Sequence, residues 1–163
     1  MKIRNAAMHD LAAIAAVEAE CFPKAEAAGE QSFAERLSVY PDHFWLLEDE
    51  GRIVAFVNGM TTDLPDLTDE MYEHAQMHQP DGKWQMIFGV DTIPSCRKKG
   101  YAAMLIKRAI ADAKAQGREG LVLTCKEKLL AYYAKFGFVR EGVSQSVHGG
   151  AVWYQMRLRF EQA

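Results

Sequence analysis

The spacing of hydrophobic residues changes along the chain between helical and strand-like patterns. From Tyr101 onward apolar residues recur every three or four positions, which predicts a helix with one apolar face. The residues on that face are Ala102, Leu105, Ile106, Ala109, Ile110 and Ala113. The apolar runs Trp84 to Val90 before it and Leu121 to Cys125 after it predict two buried strands. Strand, helix and strand in this order form a crossover unit with parallel strands.

The other elements are predicted on either side of this unit. Before it we expect a strand at Lys2 to Arg4, a helix capped by Asp10 and ended by Pro23, a helix at Ser32 to Val39, and a hairpin of Phe44 to Leu47 with Ile53 to Met60. After it we expect a helix at Lys128 to Lys135 closed by Gly137, a strand at Phe138 to Glu141, a turn at His148 to Gly150 and a strand at Val152 to Leu158. Lys24 to Gln31 fits either a helix or a loop. The prediction is a mixed α+β fold with a central sheet of about six or seven strands and about four helices.

A polar connection between Met60 and Trp84 is rich in acidic residues, namely Asp63, Asp66, Asp69, Glu70 and Glu73. Its length predicts a functional role or a short helix, which the pattern places at Thr68 to Met77. An acidic rim would attract a cationic amine, whereas a solvated acidic loop is the more common case.

Composition narrows the classes of function. A chain of 163 residues with 49% hydrophobic residues predicts one domain, residues 1–163, with a full core. The net charge of −3 argues against a nucleic-acid binder, and no run of about eighteen apolar residues could span a membrane. The N-terminus lacks the regions of a signal peptide, and Cys21, Cys96 and Cys125 have no metal-binding spacing. We expect a cytoplasmic monomer or homodimer without a metal.

The turn before the central helix contains the candidate chemistry. Arg97, Lys98, Lys99 and Gly100, here called the basic turn, lead directly into the helix. The first N–H groups of a helix lack intrahelical partners and have partial positive charge, so they bind anions. Three cations and a small residue beside them predict a phosphate or pyrophosphate site, with a solvated turn as the alternative. The GxxxxGK[ST] and GxGxxG phosphate loops are absent.

Two motifs resemble those of a known superfamily. Arg97-x-x-Gly100-x-Ala102, after a strand and opening a helix, resembles the [QR]xxGx[GA] acetyl-CoA motif of the GNAT N-acetyltransferases. The block KLLAYYAKFGF at 128–138 is similar to the superfamily's later segment, with Tyr133 in the place of its usual tyrosine. Residues 47–158, about two thirds of the chain, resemble the arylalkylamine (serotonin) N-acetyltransferase branch in the order of their blocks.

The resemblance implies transfer of an acetyl group from acetyl-CoA to the primary amine of a small molecule, by direct attack in a ternary complex. An arylalkylamine is one candidate substrate. A polyamine, an antibiotic or a protein amine is an alternative, as is a catalytically idle CoA-binding sensor. The resemblance also implies that the central strand and Leu121 to Cys125 splay apart around the pantetheine. The expected cofactor contacts are Val90, Thr92, Arg97, Lys98, Lys99, Gly100, Tyr101 and Ala102.

Amide formation requires three groups. An alkylammonium has a pKa of about 10, so a base must take its proton before attack. The oxyanion needs a donor, which the resemblance places at the backbone N–H of Val90. The departing thiolate needs an acid, which the resemblance places at Tyr133, with Tyr132 as its alternative.

The base remains open on the sequence alone. The vertebrate enzymes of the branch have two histidines on the central strand, and the matching positions here are Met86 and Phe88, which cannot transfer protons. The candidates are Glu20, Asp91, Glu127, His148 and water, of which water backed by a carboxylate is favoured.

Substrate contacts are expected from five residues, which are Phe22, Pro23, Met86, Phe88 and His148. A core anchor that closes the first helix is an equal interpretation of Phe22. Cys125 has no assignable His and Asp or Asn partners for a covalent acetyl-enzyme, so a buried residue at the end of a strand is the favoured interpretation.

Overall fold

The computed structural model describes residues 1–161 and divides the chain into two compact units. The first unit contains Met1–Gly59 and Gly89–Ala109, and the second contains Met60–Phe88 and the chain from Ile110 onward. The nine strands over residues 1–161 are β1 Lys2–Asn5, β2 Phe44–Asp49, β3 Arg52–Asn58, β4 Thr61–Thr62, β5 Trp84–Ile87, β6 Gly89–Thr92, β7 Gly120–Cys125, β8 Val139–Val143 and β9 Tyr154–Arg159. The five α-helices over the same residues are α1 Leu11–Cys21, α2 Glu30–Val39, α3 Asp69–Glu73, α4 Tyr101–Ala115 and α5 Leu130–Ala134.

The first unit contains an antiparallel sheet in the order β1-β2-β3-β6. The predicted hairpin is β2 and β3, and it turns through Glu50 and Gly51, both with positive φ. The aromatic core of this unit joins α2 to the sheet, because Phe33 meets Phe44 and Phe56 edge-on at 6.2 and 5.8 Å between ring centroids. All three side chains are fully buried.

Asp10 precedes α1 as predicted, but its carboxylate does not cap that helix. It accepts two hydrogen bonds from Arg4 at 2.8 Å and one from the Ala7 N–H at 2.9 Å. The Arg4 guanidinium therefore lowers the pKa of this carboxyl below its usual value. The Asp10 carboxylate therefore binds the Arg4 guanidinium instead of the N–H groups at the start of α1.

The second unit contains a five-stranded mixed sheet in the order β4-β5-β7-β9-β8. Its one parallel pair is β5 with β7, from Trp84 opposite Gly120 to Ile87 opposite Leu123, and its other pairs are antiparallel. The predicted crossover of strand, helix and parallel strand is confirmed.

The central apolar run is two strands rather than one. β5 ends at Ile87, Phe88 follows, and β6 then pairs antiparallel with β3 in the other sheet. The parallel pairing with β7 therefore stops before β7 itself ends at Cys125, as expected for strands that do not pair along their full length. The mixed α+β fold is confirmed, and the strand count rises to nine over residues 1–161 because the central run counts twice and the two-residue β4 is added.

Several predicted boundaries shift. The predicted helix at Thr68 to Met77 breaks at His74, whose ψ of 82° is not helical, and Ala75–Met77 continues as a 3-10 turn. Residues 24–27 form a turn in which the Pro23 carbonyl accepts from the N–H groups of Glu26 and Ala27, so this segment is not helical before α2. Trp153 lies before β9 rather than in it.

The acidic connection is mostly bound to its own unit. Asp63 accepts from the Lys83 N–H at 3.1 Å, Asp66 accepts from Gln155 at 2.9 Å, and Asp69 accepts from the Val147 N–H at 2.9 Å. Three of the five carboxylates therefore have structural partners, while Glu70 and Glu73 are exposed. Of the acidic rim considered above, Glu70 and Glu73 are the exposed carboxylates that none of these hydrogen bonds involves.

We predict that Gly120→Ala destabilises the protein by at least about 2 kcal/mol. A Cβ at this position would overlap the backbone carbonyl of Leu158, which belongs to the strand β9 paired with β7, and would lie 3.0 Å from the Trp84 ring. Gly29→Ala is the control, because no atom lies within 4 Å of its Cβ position and its φ is negative. Urea unfolding measures both, and equal stabilities would contradict the packing described for β7.

Candidate active site

The basic turn connects β6 to α4 through two left-handed residues. After Thr92, a 3-10 turn at Pro94–Cys96 leads to Lys98 with φ 65° and Gly100 with φ 80°. Positive φ is unusual for lysine and ordinary for glycine, so Gly100 suits its position while Lys98 is held in a less favourable conformation. The Gly100 carbonyl then accepts the first helical hydrogen bond, from the Met104 N–H at 3.1 Å.

A run of six backbone N–H groups at this turn points away from protein acceptors. The Arg97 N–H donates to the Pro94 carbonyl at 3.3 Å, but over residues 1–161 no acceptor pairs with the N–H groups of residues 98–103. The dipole of the 15-residue helix α4 adds partial positive charge there. The geometry is that of an anion site, and it covers the Lys98 to Ala102 segment expected from the sequence.

The side chains of the basic turn are exposed, but Arg97 also has a structural contact. Its Nε donates to the Thr92 carbonyl at 3.1 Å, and the Cys21 thiol donates to the same oxygen at 3.2 Å. Burial raises the pKa of Cys21, and the neighbouring Arg97 partly opposes that rise. Lys98 and Lys99 are exposed, whereas Tyr101 and Ala102 are half-buried.

The two residues expected to take part in the chemistry belong to different units. Val90 is half-buried in β6 of the first unit, opposite Val57 of β3. Tyr133 is on α5 of the second unit and is only 7% exposed. Its ring meets the rings of Tyr132 at 5.2 Å and Phe138 at 6.2 Å. Tyr132 is half-buried, and burial raises its pKa.

The base candidates differ sharply in burial. Glu20 and Glu127 are exposed, and His148 is half-buried. Asp91 is only 1% exposed, and burial together with the nearby Glu18 carboxyl raises its pKa well above the usual value. The sequence analysis did not select Glu18, although it lies four residues after Ile14 on the buried face of α1, where a carboxylate is unusual.

An aromatic cluster in the second unit contains two of the expected substrate residues. Tyr72 lies 4.9 Å from the Phe88 ring and 5.0 Å from the His148 ring, and Trp153 lies 5.9 Å from His148. All four side chains are half-buried, and the Lys126 ammonium lies 5.7 Å from the Trp153 ring centre. Tyr72 and Trp153 were not selected from the sequence, because only the fold brings residues so distant in the chain together.

The other expected substrate residues lie apart from this cluster. Met86 is fully buried within β5, so its side chain is not accessible. Phe22 is half-buried and Pro23 is exposed, both directly after α1 in the first unit. Phe22 lies at the position that closes the helix, which agrees with its interpretation as an anchor.

The described residues give little support to a nucleophilic cysteine or to a metal site. Burial raises the pKa of Cys125 to about 11, so its thiol is protonated at neutral pH and is a poor nucleophile. Over residues 1–161, no group of three or more His, Cys, Asp or Glu side chains could hold a metal ion. No helix in that range is both long enough and apolar enough to cross a bilayer.

The chain belongs to the Acetyltransferase (GNAT) family, whose sequence model matches residues 9–138. Serotonin N-acetyltransferase from Mesocricetus auratus is 27% identical over 110 residues, which are 67% of this chain and 52% of that enzyme. The chain thus spans about half the length of this relative.

Two solved structures share the fold at low sequence identity. The GNAT-like decarboxylase GphF in complex with isobutyryl-CoA superposes with a TM-score of 0.85 at 20% identity, over 98% of this chain and 99% of that one. The loading GNATL domain of CurA from Lyngbya majuscula superposes with a TM-score of 0.83 at 16% identity, over 97% and 96%. These likenesses support the fold.

We predict that Gly100→Val weakens CoA binding at least tenfold, about 1.4 kcal/mol, because a branched side chain would obstruct the N–H groups of the basic turn. The variant also strains a residue with φ 80°. Gly117→Val, at the other end of α4, is the matched control, since Gly117 has φ 77° and also has no atom within 4 Å of its Cβ position.

Isothermal titration with CoA should therefore separate the two variants, although both lose similar stability. Equal CoA affinities in the two folded variants would show that the basic turn does not bind the cofactor.

Proposed function

We propose that this protein transfers the acetyl group of acetyl-CoA to the primary amine of a small molecule, with an arylalkylamine as the favoured substrate. The observation that supports it most is the run of unpaired N–H groups at residues 98–103, directly after β6. Family membership supports acetyl transfer in general, and the serotonin N-acetyltransferase relative supports an arylalkylamine.

The cofactor role falls on the first unit. The pyrophosphate of CoA accepts from the N–H groups of the basic turn, with Lys98 and Lys99 contributing charge. Arg97 holds the turn against β6 through the Thr92 carbonyl and adds a third cation. The Val90 N–H donates to the oxyanion that forms when the amine attacks the thioester carbonyl.

The aromatic cluster supports an aromatic substrate. Tyr72, Phe88, His148 and Trp153 offer half-buried ring faces and edges, on which a further ring gains about 0.5–1.5 kcal/mol beyond the burial of its area. A polyamine or an aminoglycoside would gain only a cation–π attraction from these rings, about 0.5–1 kcal/mol at an exposed site, and would bury no aromatic ring against them. The second unit also holds Tyr133, the proposed acid for the departing thiolate.

We predict that an amine panel will show CoA thiol release with phenethylamine or tryptamine at least tenfold faster, in kcat/KM, than with propylamine. Ring packing on the aromatic cluster supplies that difference, so Tyr72→Leu should reduce the preference while leaving propylamine unaffected. Release with spermidine or an aminoglycoside alone would identify the alternative substrates. CoA binding without release for any amine would identify a CoA sensor instead.

We predict that Tyr133→Phe lowers kcat by about 10²-fold while the KM for acetyl-CoA hardly changes. The substitution keeps the ring that contacts Tyr132 and Phe138 and removes the phenolic hydroxyl with its proton. Steady-state kinetics with the best amine of the panel measure both constants. Full activity in Tyr133→Phe together with a loss in Tyr132→Phe would transfer the role to Tyr132.

A further inference from the structure

Four polar side chains are buried among α1, α2, β3 and β6 of the first unit. They are Glu18, Arg36, Asn58 and Asp91, and each is at most 6% exposed. Charged residues are rarely buried so deeply unless they are paired. The general base of the proposed reaction has not been assigned to any residue so far.

The hydrogen bonds of this cluster leave its carboxylates only partly paired. Arg36 donates to the Asn58 side-chain oxygen at 3.0 Å, and the Ala28 N–H donates to Glu18 Oε2 at 2.9 Å. Over the described residues, no donor pairs with Glu18 Oε1 or with either oxygen of Asp91. Unpaired buried carboxylate oxygens are strongly unfavourable, which indicates that this site binds a proton or a cationic group.

The unpaired oxygens converge on Gly89. The position that a Cβ would occupy on this residue lies 3.1 Å from Asp91 Oδ1, 3.7 Å from Glu18 Oε1 and 3.6 Å from Asn58 Nδ2. Gly89 is half-buried rather than buried, and it directly precedes Val90. Gly89 therefore places no side chain over the two carboxyls, whose unpaired oxygens are buried next to the proposed oxyanion donor.

We propose that Glu18 and Asp91 together accept the proton that the substrate amine gives up, and that this proton reaches them past Gly89. This inference rests on the proposed amine acetylation. It assigns the base to a carboxyl pair, where the sequence favoured water backed by a carboxylate.

The surroundings make the ionised pair bind its first proton strongly. Burial is the main reason that the pKa of Asp91 is raised; next come the negative charge of Glu18 and the hydrogen bond that the two carboxyls form when one of them is protonated. Cys21 on α1 raises it further, while Arg36 on α2 lowers it, and Asn58 on β3 is neutral. The fully ionised pair beside the Arg36 cation has a net charge of −1, which attracts an ammonium, and it takes up its first proton at a pH nearer neutrality than a solvated carboxylate does.

Every proton in the acetyl transfer is accounted for without a further reactant. The ammonium gives one proton to the pair, and the neutral nitrogen then forms its bond to the thioester carbon. When the C–S bond breaks, the electron pair leaves with sulfur, the Tyr133 phenol protonates the thiolate, and the second nitrogen proton restores that phenol. The pair returns its extra proton to solvent, so each turnover releases one proton, amide and CoA.

We predict that Asp91→Asn lowers kcat/KM for the amine by about 10²-fold at pH 7, with the CoA dissociation constant unchanged. The defect should shrink as the pH approaches about 10, where the amine loses its proton in solution without help. Glu18→Gln should behave similarly. Glu35→Gln, which removes an exposed carboxylate from α2 of the same unit, is the matched control and should keep wild-type activity.

The pH dependence separates this role from a structural one, since a merely structural defect would lower activity by the same factor at every pH. A pH-independent loss, or undiminished activity in Asp91→Asn, overturns the assignment. An ionisation near the histidine pKa that disappears in His148→Gln overturns it too and makes His148 the base. A wild-type protein that acetylates no amine overturns both this assignment and the proposed function.

A second measurement tests the pair without catalysis. Because the folded pKa of Asp91 is raised above its ordinary value of 3.8, the folded protein retains a proton that the unfolded chain has released above that pH. The free energy of unfolding should therefore fall as pH rises from about 4 toward the folded pKa. Asp91→Asn should reduce this slope. An unchanged slope would show that Asp91 does not retain a proton and would overturn the assignment.

Discussion

Residues 84–92 cannot pair with a single neighbour along their length, and the rest of the structure depends on that constraint. β5 takes the parallel place beside β7, whereas β6 takes the antiparallel place beside β3. The change occurs at Phe88 and Gly89, where the chain leaves one sheet and enters the other. β6 is consequently a strand of four residues that leads into the basic turn almost at once.

Each residue of β6 then contributes differently. Gly89 places no side chain over the buried carboxyls, Asp91 supplies one of those carboxyls, and the Thr92 carbonyl accepts hydrogen bonds from Arg97 and Cys21. Val90 remains as the proposed oxyanion donor between them. Basic charge at the turn suits an anionic cofactor, and the net negative charge of the ionised carboxyl pair suits the cationic amine that we propose as substrate.

Local patterns predicted most of the fold, and long-range pairing set the remainder. The helix at Tyr101 and the strand at Leu121 follow from periodicity, and the basic turn from its charges and glycine. The break at Phe88 could not be predicted, because the residues from Met86 to Phe88 are continuously apolar and only the partners β3 and β7 divide the run Trp84 to Val90. Glu18 and Tyr72 were missed for a similar reason, since their partners Asp91 and His148 are more than seventy positions away.

The backbone amides of the basic turn provide the most direct test of the cofactor site. In two-dimensional ¹⁵N–¹H spectra, added CoA should shift the amide signals of residues 98–103 more than any others in the first unit. Pantetheine, which lacks the pyrophosphate, should leave those signals nearly unchanged. Equal shifts with both compounds, or a largest CoA shift elsewhere in that unit, would contradict a pyrophosphate bound at the start of α4.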